Sequence, residues 1–250
     1  MSGHSKWANI KYRKESQDKK RSNLFSKLIK EIALQARNGE PDPALNSGLA
    51  QAVERARAAN LPKDTIERAI KRATAGADTA AYEEITYEGY ASDGVAVLVR
   101  VVTDNRNRAA ASIRHVFSKH GGNLASGGSV AWLFERRGLI TLPGVPEGTD
   151  HDELLMSLIE AGAQEIEEEG GIIQVYCAPT DVAKVSEKVR GLGVTPDRAE
   201  ITMVPKSTVR VEGHGAEKVL KLIDELDDNE DVQEVFANFD IPDEVLAQSS

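Results

Sequence analysis

Apolar positions in the first third of the chain recur at helical spacing. Leu24, Leu28, Ile32 and Ala36 fall four residues apart, with Phe25, Ile29 and Ala33 beside them, predicting a helix over about 16–37. Asn38-Gly39 ends it, glycine accepting the left-handed conformation common at helix ends. Asp42-Pro43 opens a second helix, Asp as N-cap and Pro in the first turn. Its apolar positions Leu45, Leu49, Ala52, Val53 and Ala56 run to a stop near Asn60. A third helix, with Ile66, Ala69, Ile70 and Ala73 inward, runs from Pro62 to about Gly76. Three amphipathic helices with short joins predict a small bundle, preceded by an arm of a dozen residues without a period.

Beyond a linker at 75–81 the period drops to two. Residues 82–90 and 95–103 read as strands around the turn Ala91-Ser92-Asp93-Gly94. Asn105 can cap a helix running to about Lys119, closed by Gly121-Gly122, and a further strand is expected over 129–134. From Gly138 the order is strand 139–142, helix 151–161, strands 164–168 and 172–177, helix 181–192 and strand 200–204. That is βαββαβ, the ferredoxin-like arrangement. The remaining strand 208–212, helix 216–226 and strand 232–236 are too few to stand alone. They can complete the half-built sheet of 82–135, which makes the ferredoxin-like unit an insertion. The predicted class is α+β and multi-domain: a basic α-helical domain with its arm at 1–78, a split α+β domain at 79–135 plus 206–241, and the inserted domain at 136–205.

The chain of 250 residues is 40% hydrophobic and 28% charged, an ordinary soluble composition. Its longest apolar runs are strand-sized, so no membrane partner is expected. The start, Met1-Ser2-Gly3-His4-Ser5-Lys6-Trp7, has no apolar stretch of the kind a secretory signal needs. The single Cys177 sits in an apolar run and reads as a buried structural thiol, which fits a reducing, cytoplasmic location. The net charge of −9 is unevenly spread. Residues 1–76 carry 16 Lys and Arg against 8 Asp and Glu, a surplus of eight, whereas the remainder carries 15 against 32. This asymmetry predicts a basic face for a polyanion on an acidic body.

Two constellations carry that expectation. In the first, Lys6, Trp7, Lys11, Tyr12, Arg13 and Lys14 interleave cations with aromatics, continuing through Lys19, Lys20, Arg21 and Lys27. Lys and Arg neutralise phosphates and release counterions, and aromatic faces stack on bases. Trp7 also fits a packing role that pins the arm to the bundle. The second is Thr103-Asp104-Asn105-Arg106-Asn107-Arg108, leading to Arg114-His115 and Lys119. Arg108, Ser112, His115 and Lys119 form one stripe of a helix, with Ala109, Ile113, Val116, Phe117 and His120 on the core side. Two readings of that stripe stand: a second phosphate contact, or an internal salt-bridge network with Asp104 or glutamates. The glycine pairs at 121–122 and 127–128 match no phosphate-binding loop. No metal-ligand spacing, nucleophile elbow or cofactor motif is present, so neither a metal, a cofactor nor an enzymatic activity is expected.

Several segments together resemble the YebC/PmpR family: Gly3-His4-Ser5-Lys6-Trp7-Ala8-Asn9-Ile10-Lys11, Tyr87-Glu88-Gly89-Tyr90, residues 103–108, Gly121-Gly122-Asn123-Leu124 and Gly128-Ser129-Val130-Ala131. Pro62-Lys63-Asp64 with residues 66–70 fits as well, and the likeness spans nearly the whole chain. The resemblance implies three domains around a concave face, with the ferredoxin-like domain inserted, and a non-enzymatic role on nucleic acid. For bacterial members that role is regulation of transcription through promoter DNA. For mitochondrial relatives it is activation of translation, which brings ribosomal or transfer RNA and the ribosome in as alternative partners. Tyr12 stands where the family usually has His, and Ala91-Ser92-Asp93 replaces a turn richer in Gly and Pro. Neither departure removes a cation.

Overall fold

The computed structural model of the protein describes residues 17–75, 82–145 and 150–242, with side chains from Arg21 onward. It is α+β, with seven α-helices and three sheets among the described residues. None of those helices is long and apolar enough to cross a membrane. The chain divides into two compact units, one formed by residues 132–208 and the other by the segments before and after it.

In the flanking unit, α1 (Gln17–Asn38), α2 (Ser47–Ala58) and α3 (Lys63–Thr74) enclose Ile32, Ala36, Leu49, Val53, Leu61 and Ile66. The helical periodicity thus marks the right faces, except at the margins. Leu24 and Leu45 are 45% and 73% exposed. Leu45 lies outside the second helix because Asp42-Pro43 does not open it. The Asp42 side chain instead accepts from the Ala44 N–H, making a local turn. The helix starts four residues later on Asn46, whose Oδ1 accepts from the Leu49 N–H at 3.0 Å while its amide donates to the Gln35 and Glu40 carbonyls. Gly39 is needed for closeness rather than handedness: a Cβ there would lie 2.6 Å from Asn46 Nδ2.

The same unit holds a four-stranded sheet in the order β3-β1-β2-β9, built from β1 (Glu83–Tyr90), β2 (Ala96–Thr103), β3 (Asn123–Leu124) and β9 (Val232–Ala237). Helices α4 (Arg106–Lys119) and α7 (Gly213–Asp227) cover one face, burying Val95, Val97, Val99 and Val101 against Ile113, Phe117, Leu222 and Leu226. The alternate positions Ala96, Leu98 and Val102 are buried as well, which explains the unbroken apolar run of β2. Among them Arg100 reaches Glu234 at 2.7 Å, Glu31 at 3.1 Å and Glu84 at 3.2 Å. Glu31 is a buried residue of α1, so this ion-pair group holds the bundle on the sheet. Of the two elements expected to complete the sheet, only β9 does so. The strand expected at 208–212 shrinks to β8 (Val209–Arg210), which pairs in parallel with β10 (Phe239–Asp240) in a separate ribbon.

The unit of 132–208 runs β4 (Phe134–Leu142), α5 (His151–Ala161), β5 (Ala163–Glu169), β6 (Ile172–Cys177), α6 (Val182–Gly191) and β7 (Arg198–Pro205). Its antiparallel sheet has the order β5-β6-β4-β7. Leu154, Leu158, Val185 and Val189 of the helices close over Ile140, Leu142, Ile173, Val175 and Cys177. The Cys177 thiol is buried, and burial pushes its pKa up. Gly138 does not open β4 but lies inside it. A Cβ there would meet Cys177 Sγ at 2.6 Å and collide with Val182.

A strand over 129–134 does not form. Residues 128–131 wrap the Glu88 carboxylate, which is 7% exposed and accepts N–H bonds from Gly128 at 2.6 Å, Val130 at 2.7 Å and Ala131 at 2.9 Å. With the Val130 and Ala131 N–H groups committed to one carboxylate and that of Ser129 to the Ser126 carbonyl, none of these three is left for a ladder. Gly128 takes φ +85° to begin the wrap. Burial alone would raise the pKa of Glu88. The N–H groups of residues 128–131 outweigh it and hold the carboxyl below the ordinary glutamate range. Because the folded value is depressed, the stabilisation is present at neutral pH and fades as pH falls through it. Glu88→Gln is expected to cost about 2 kcal/mol in urea denaturation at pH 7, with the difference from the parent shrinking below about pH 4.

Candidate nucleic-acid interface

Of the first predicted constellation, Lys6, Trp7, Lys11, Arg13 and Lys14 lie outside the described residues, as do the side chains of Lys19 and Lys20. Arg21 is exposed, its guanidinium 5.4 Å from the centre of the Phe25 ring. Lys27 points elsewhere. Its side chain is 13% exposed, and its ammonium donates to the Asp227 carbonyl and lies 3.5 Å from that residue's carboxylate. One turn on, Lys30 donates to Asp231 at 2.7 Å and to the Glu230 carbonyl at 2.8 Å. Asn23 donates to the Asp228 carbonyl at 2.8 Å. One face of α1 therefore satisfies carbonyls left without partners where α7 ends, together with the acidic turn that follows.

The second constellation meets that turn from the other side. The Asn105 side chain caps α4 by accepting from the Arg108 N–H at 3.0 Å. Arg108 pairs with Asp104 at 2.8 Å and Asp231 at 3.2 Å. Ser112 accepts from Asn229 at 2.8 Å, and Lys119 and His120 both reach Glu225 at 2.7 Å. Three of the four positions of the predicted stripe thus engage α7 and its turn, the geometry of a salt-bridge network. His115 and Arg114 are exposed on the same helix without an ion pair among the described residues. Arg106 is exposed and only loosely paired, 4.0 Å from Glu83.

The bundle carries further cations that the sequence reading did not single out. Arg37, Arg57, Lys71 and Arg72 are exposed and form no ion pair among the described residues. Arg37 and Arg72 line a slot of about 80 Å³ with Ile29, Ala33, Ala73 and Tyr82. Burial pushes the Tyr82 hydroxyl up, so it remains a protonated donor there. Helix phase was the available signal. Arg37 and Arg72 lie outside the apolar stripes of α1 and α3, but their joining at one slot depends on how the helices pack. In the unit of 132–208, Trp132 is also exposed, its carbonyl accepting from Lys206 at 3.0 Å. Among the described residues no group of His, Cys, Asp and Glu gathers as metal ligands would.

A basic helical bundle joined to an antiparallel sheet, with a second α+β unit between the sheet's segments, is the plan of one protein family. The chain belongs to the TACO1/YebC family: residues 5–76 match the TACO1/YebC protein N-terminal domain, and residues 82–239 match the TACO1/YebC second and third domain. Relatives named probable transcriptional regulatory protein include one from Dictyoglomus turgidum, 50% identical over the full length of both chains. One from Thermosipho melanesiensis is 52% identical over 99% of this chain and 97% of its own. The crystal structure of a conserved hypothetical protein from Aquifex aeolicus is similar at a TM-score of 0.81 and 44% identity, covering 92% of this chain and 94% of that one.

Asp231 joins the two halves of the ion-pair network. Burial alone would raise the pKa of its carboxyl, but hydrogen bonds and charge from Lys30 and Arg108 hold it below the ordinary aspartate range. Asp231→Ala is expected to cost about 2 kcal/mol in urea denaturation at pH 7, through its bonds to charged partners. The folded value being depressed, that contribution is present above about pH 4 and lost as pH falls further, so the two proteins converge in acid.

Proposed function

We propose that the protein is a non-enzymatic, nucleic-acid-binding regulator of gene expression, acting on promoter DNA as a transcriptional regulator. The observation that carries this reading is where unneutralised positive charge lies. The acidic body pairs off Lys27, Lys30, Arg108 and Lys119, whereas exposed Arg21, Arg37, Arg57, Lys71 and Arg72 carry no ion pair among the described residues. Such cations suit a phosphate chain, whose counterions they displace. Arg114 and His115 of α4 offer further contacts, and the cations of the arm, Lys6, Lys11, Arg13 and Lys14, extend the surface in this reading. The names of the relatives support a regulatory role.

The domain organisation we assign is a helical domain at 1–78, a split α+β domain at 79–135 plus 206–241, and a ferredoxin-like domain inserted between its segments at 136–205. The βαββαβ order of 134–205 and its sheet order β5-β6-β4-β7 support the last assignment. So does the closed core of that unit. A cytoplasmic location fits the lone buried thiol.

Fluorescence anisotropy across a salt series tests the reading. Neutralising about six phosphates gives a slope near −5 in log affinity against log salt. Reversing Arg37, Arg57, Lys71 and Arg72 to Glu is expected to weaken duplex binding by at least about a hundredfold and to flatten that slope. Unchanged binding would overturn the interface. Ribosomal RNA outcompeting promoter duplex would replace the transcriptional role with one in translation.

A further inference from the structure

The unit of 132–208 presents a surface opposite in character to the basic bundle. Helix α5 buries Leu154 and Leu158, yet Met156 and Ile159 on its outer side are 64% and 61% exposed and Leu155 is half-buried. Scattered apolar residues on a surface are ordinary, but Leu155 and Ile159 line one groove. It measures about 230 Å³ and runs between α5 and β5, with Leu155, Ile159, Ala163 and Ile166 as its apolar lining and Glu165 and Glu168 at its margin. Strand β5 is an edge of its sheet: among the described residues it pairs with β6 alone, and the register shifts between Ala163 and Glu165. An edge strand offers a row of N–H and C=O groups to any chain that lies beside it. The borders are strongly negative. Residues 150–170 hold eight Asp and Glu and no Lys or Arg. Arg137 meets Glu165 at 2.6 Å and His151 meets Glu168 at 2.7 Å.

We infer that the groove between α5 and β5 docks an extended segment of a basic partner protein, with apolar side chains at every second residue and Lys or Arg between them. The chemistry selects this occupant in three steps. A strand added to β5 gains main-chain hydrogen bonds, and its period of two puts alternate side chains over Leu155, Ile159 and Ile166. The carboxylates attract the intervening cations and repel phosphate, so nucleic acid is excluded from this face. A second copy of the chain is disfavoured by the same charge, because a symmetric contact would bring two identical carboxylate rows together. Natural sheet edges are commonly guarded by lysine. Here glutamates take that place, guarding against copies of this chain while admitting a cationic one.

Titration of the isotopically labelled full-length protein with a nine-residue peptide of alternating Lys and Val tests the assignment by NMR. Shifts are expected at the Leu155, Ile159 and Ile166 methyls and along the β5 amides. Ile159→Lys is expected to weaken binding by at least about tenfold, the loss of one buried aliphatic contact and one attraction. It should leave the urea midpoint unchanged, since Ile159 is largely exposed. A peptide with Glu in place of Lys should not bind. The inference is overturned if no binding occurs, or if the shifts spread over carboxylates elsewhere and persist in Ile159→Lys. It is also overturned if the same signals move with protein concentration alone, which marks self-association, or on addition of an oligonucleotide, which marks a nucleic-acid face. None of these outcomes depends on the basic bundle, so the two proposals fail separately.

Discussion

The acidic turn that closes α7 organises the unit around it. Between Glu225 and Asp231 the chain offers carboxylates and the free carbonyls of a helix end, and two basic helices converge on them. Helix α1 contributes Asn23, Lys27 and Lys30, and α4 contributes Arg108, Ser112 and Lys119. The negative end of the α7 dipole reinforces the side-chain charges. Partly buried pairs of this kind bind the bundle to the sheet in a defined register, because a shifted α1 would leave Asp231 and Lys30 desolvated without partners. Arg100, placed among Glu31, Glu84 and Glu234, repeats the device on the other face of β2.

That arrangement bears directly on function. A surplus of eight positive charges in the first 76 residues is not a surplus of eight available ones. The cations nearest the sheet are neutralised by the body, and the pairing turns the remaining ones toward solvent on the outer surfaces of the bundle. Internal carboxylates thus do for Lys27 and Arg108 what a phosphate chain is proposed to do for Arg37 and Arg72. The acidic half of the chain thereby sorts the basic residues into structural and available sets.

The glycine-containing motifs have a similar explanation. Residues 87–90 and 128–131 lie about forty positions apart in sequence, yet they form one device, a carboxylate held by a row of main-chain N–H groups. Gly89 is required there because a Cβ would meet the Asn123 carbonyl at 2.7 Å and the Phe117 ring at 2.6 Å. Gly122 is required because a Cβ would lie 2.6 Å from the Tyr90 carbonyl. These residues fix how β1, α4 and the loop after β3 meet. They resemble a phosphate cradle in chemistry, but the chain supplies its own anion.

Local pattern determined much of this protein unaided. Helix α5 and strand β6 occupy the residues expected for them from the pattern of the chain, and α5 is bounded locally, by the Asp150 cap and by Gly162 with φ +116°. The buried faces of α1 to α4 follow from spacing for the same reason: a helix repeats every 3.6 residues whatever it packs against. Tertiary structure decided what no local window contains. Asp42-Pro43 yields to Asn46 because the Asn46 amide finds carbonyls at Gln35 and Glu40. The strand expected from residue 129 begins only at Phe134, because Glu88 claims the Val130 and Ala131 N–H groups. Lys27 and Arg108 become structural because Asp227 and Asp231, some two hundred and one hundred and twenty residues away, arrive beside them. Charge carries no period and acts through space, so its partners are set only when the chain has folded.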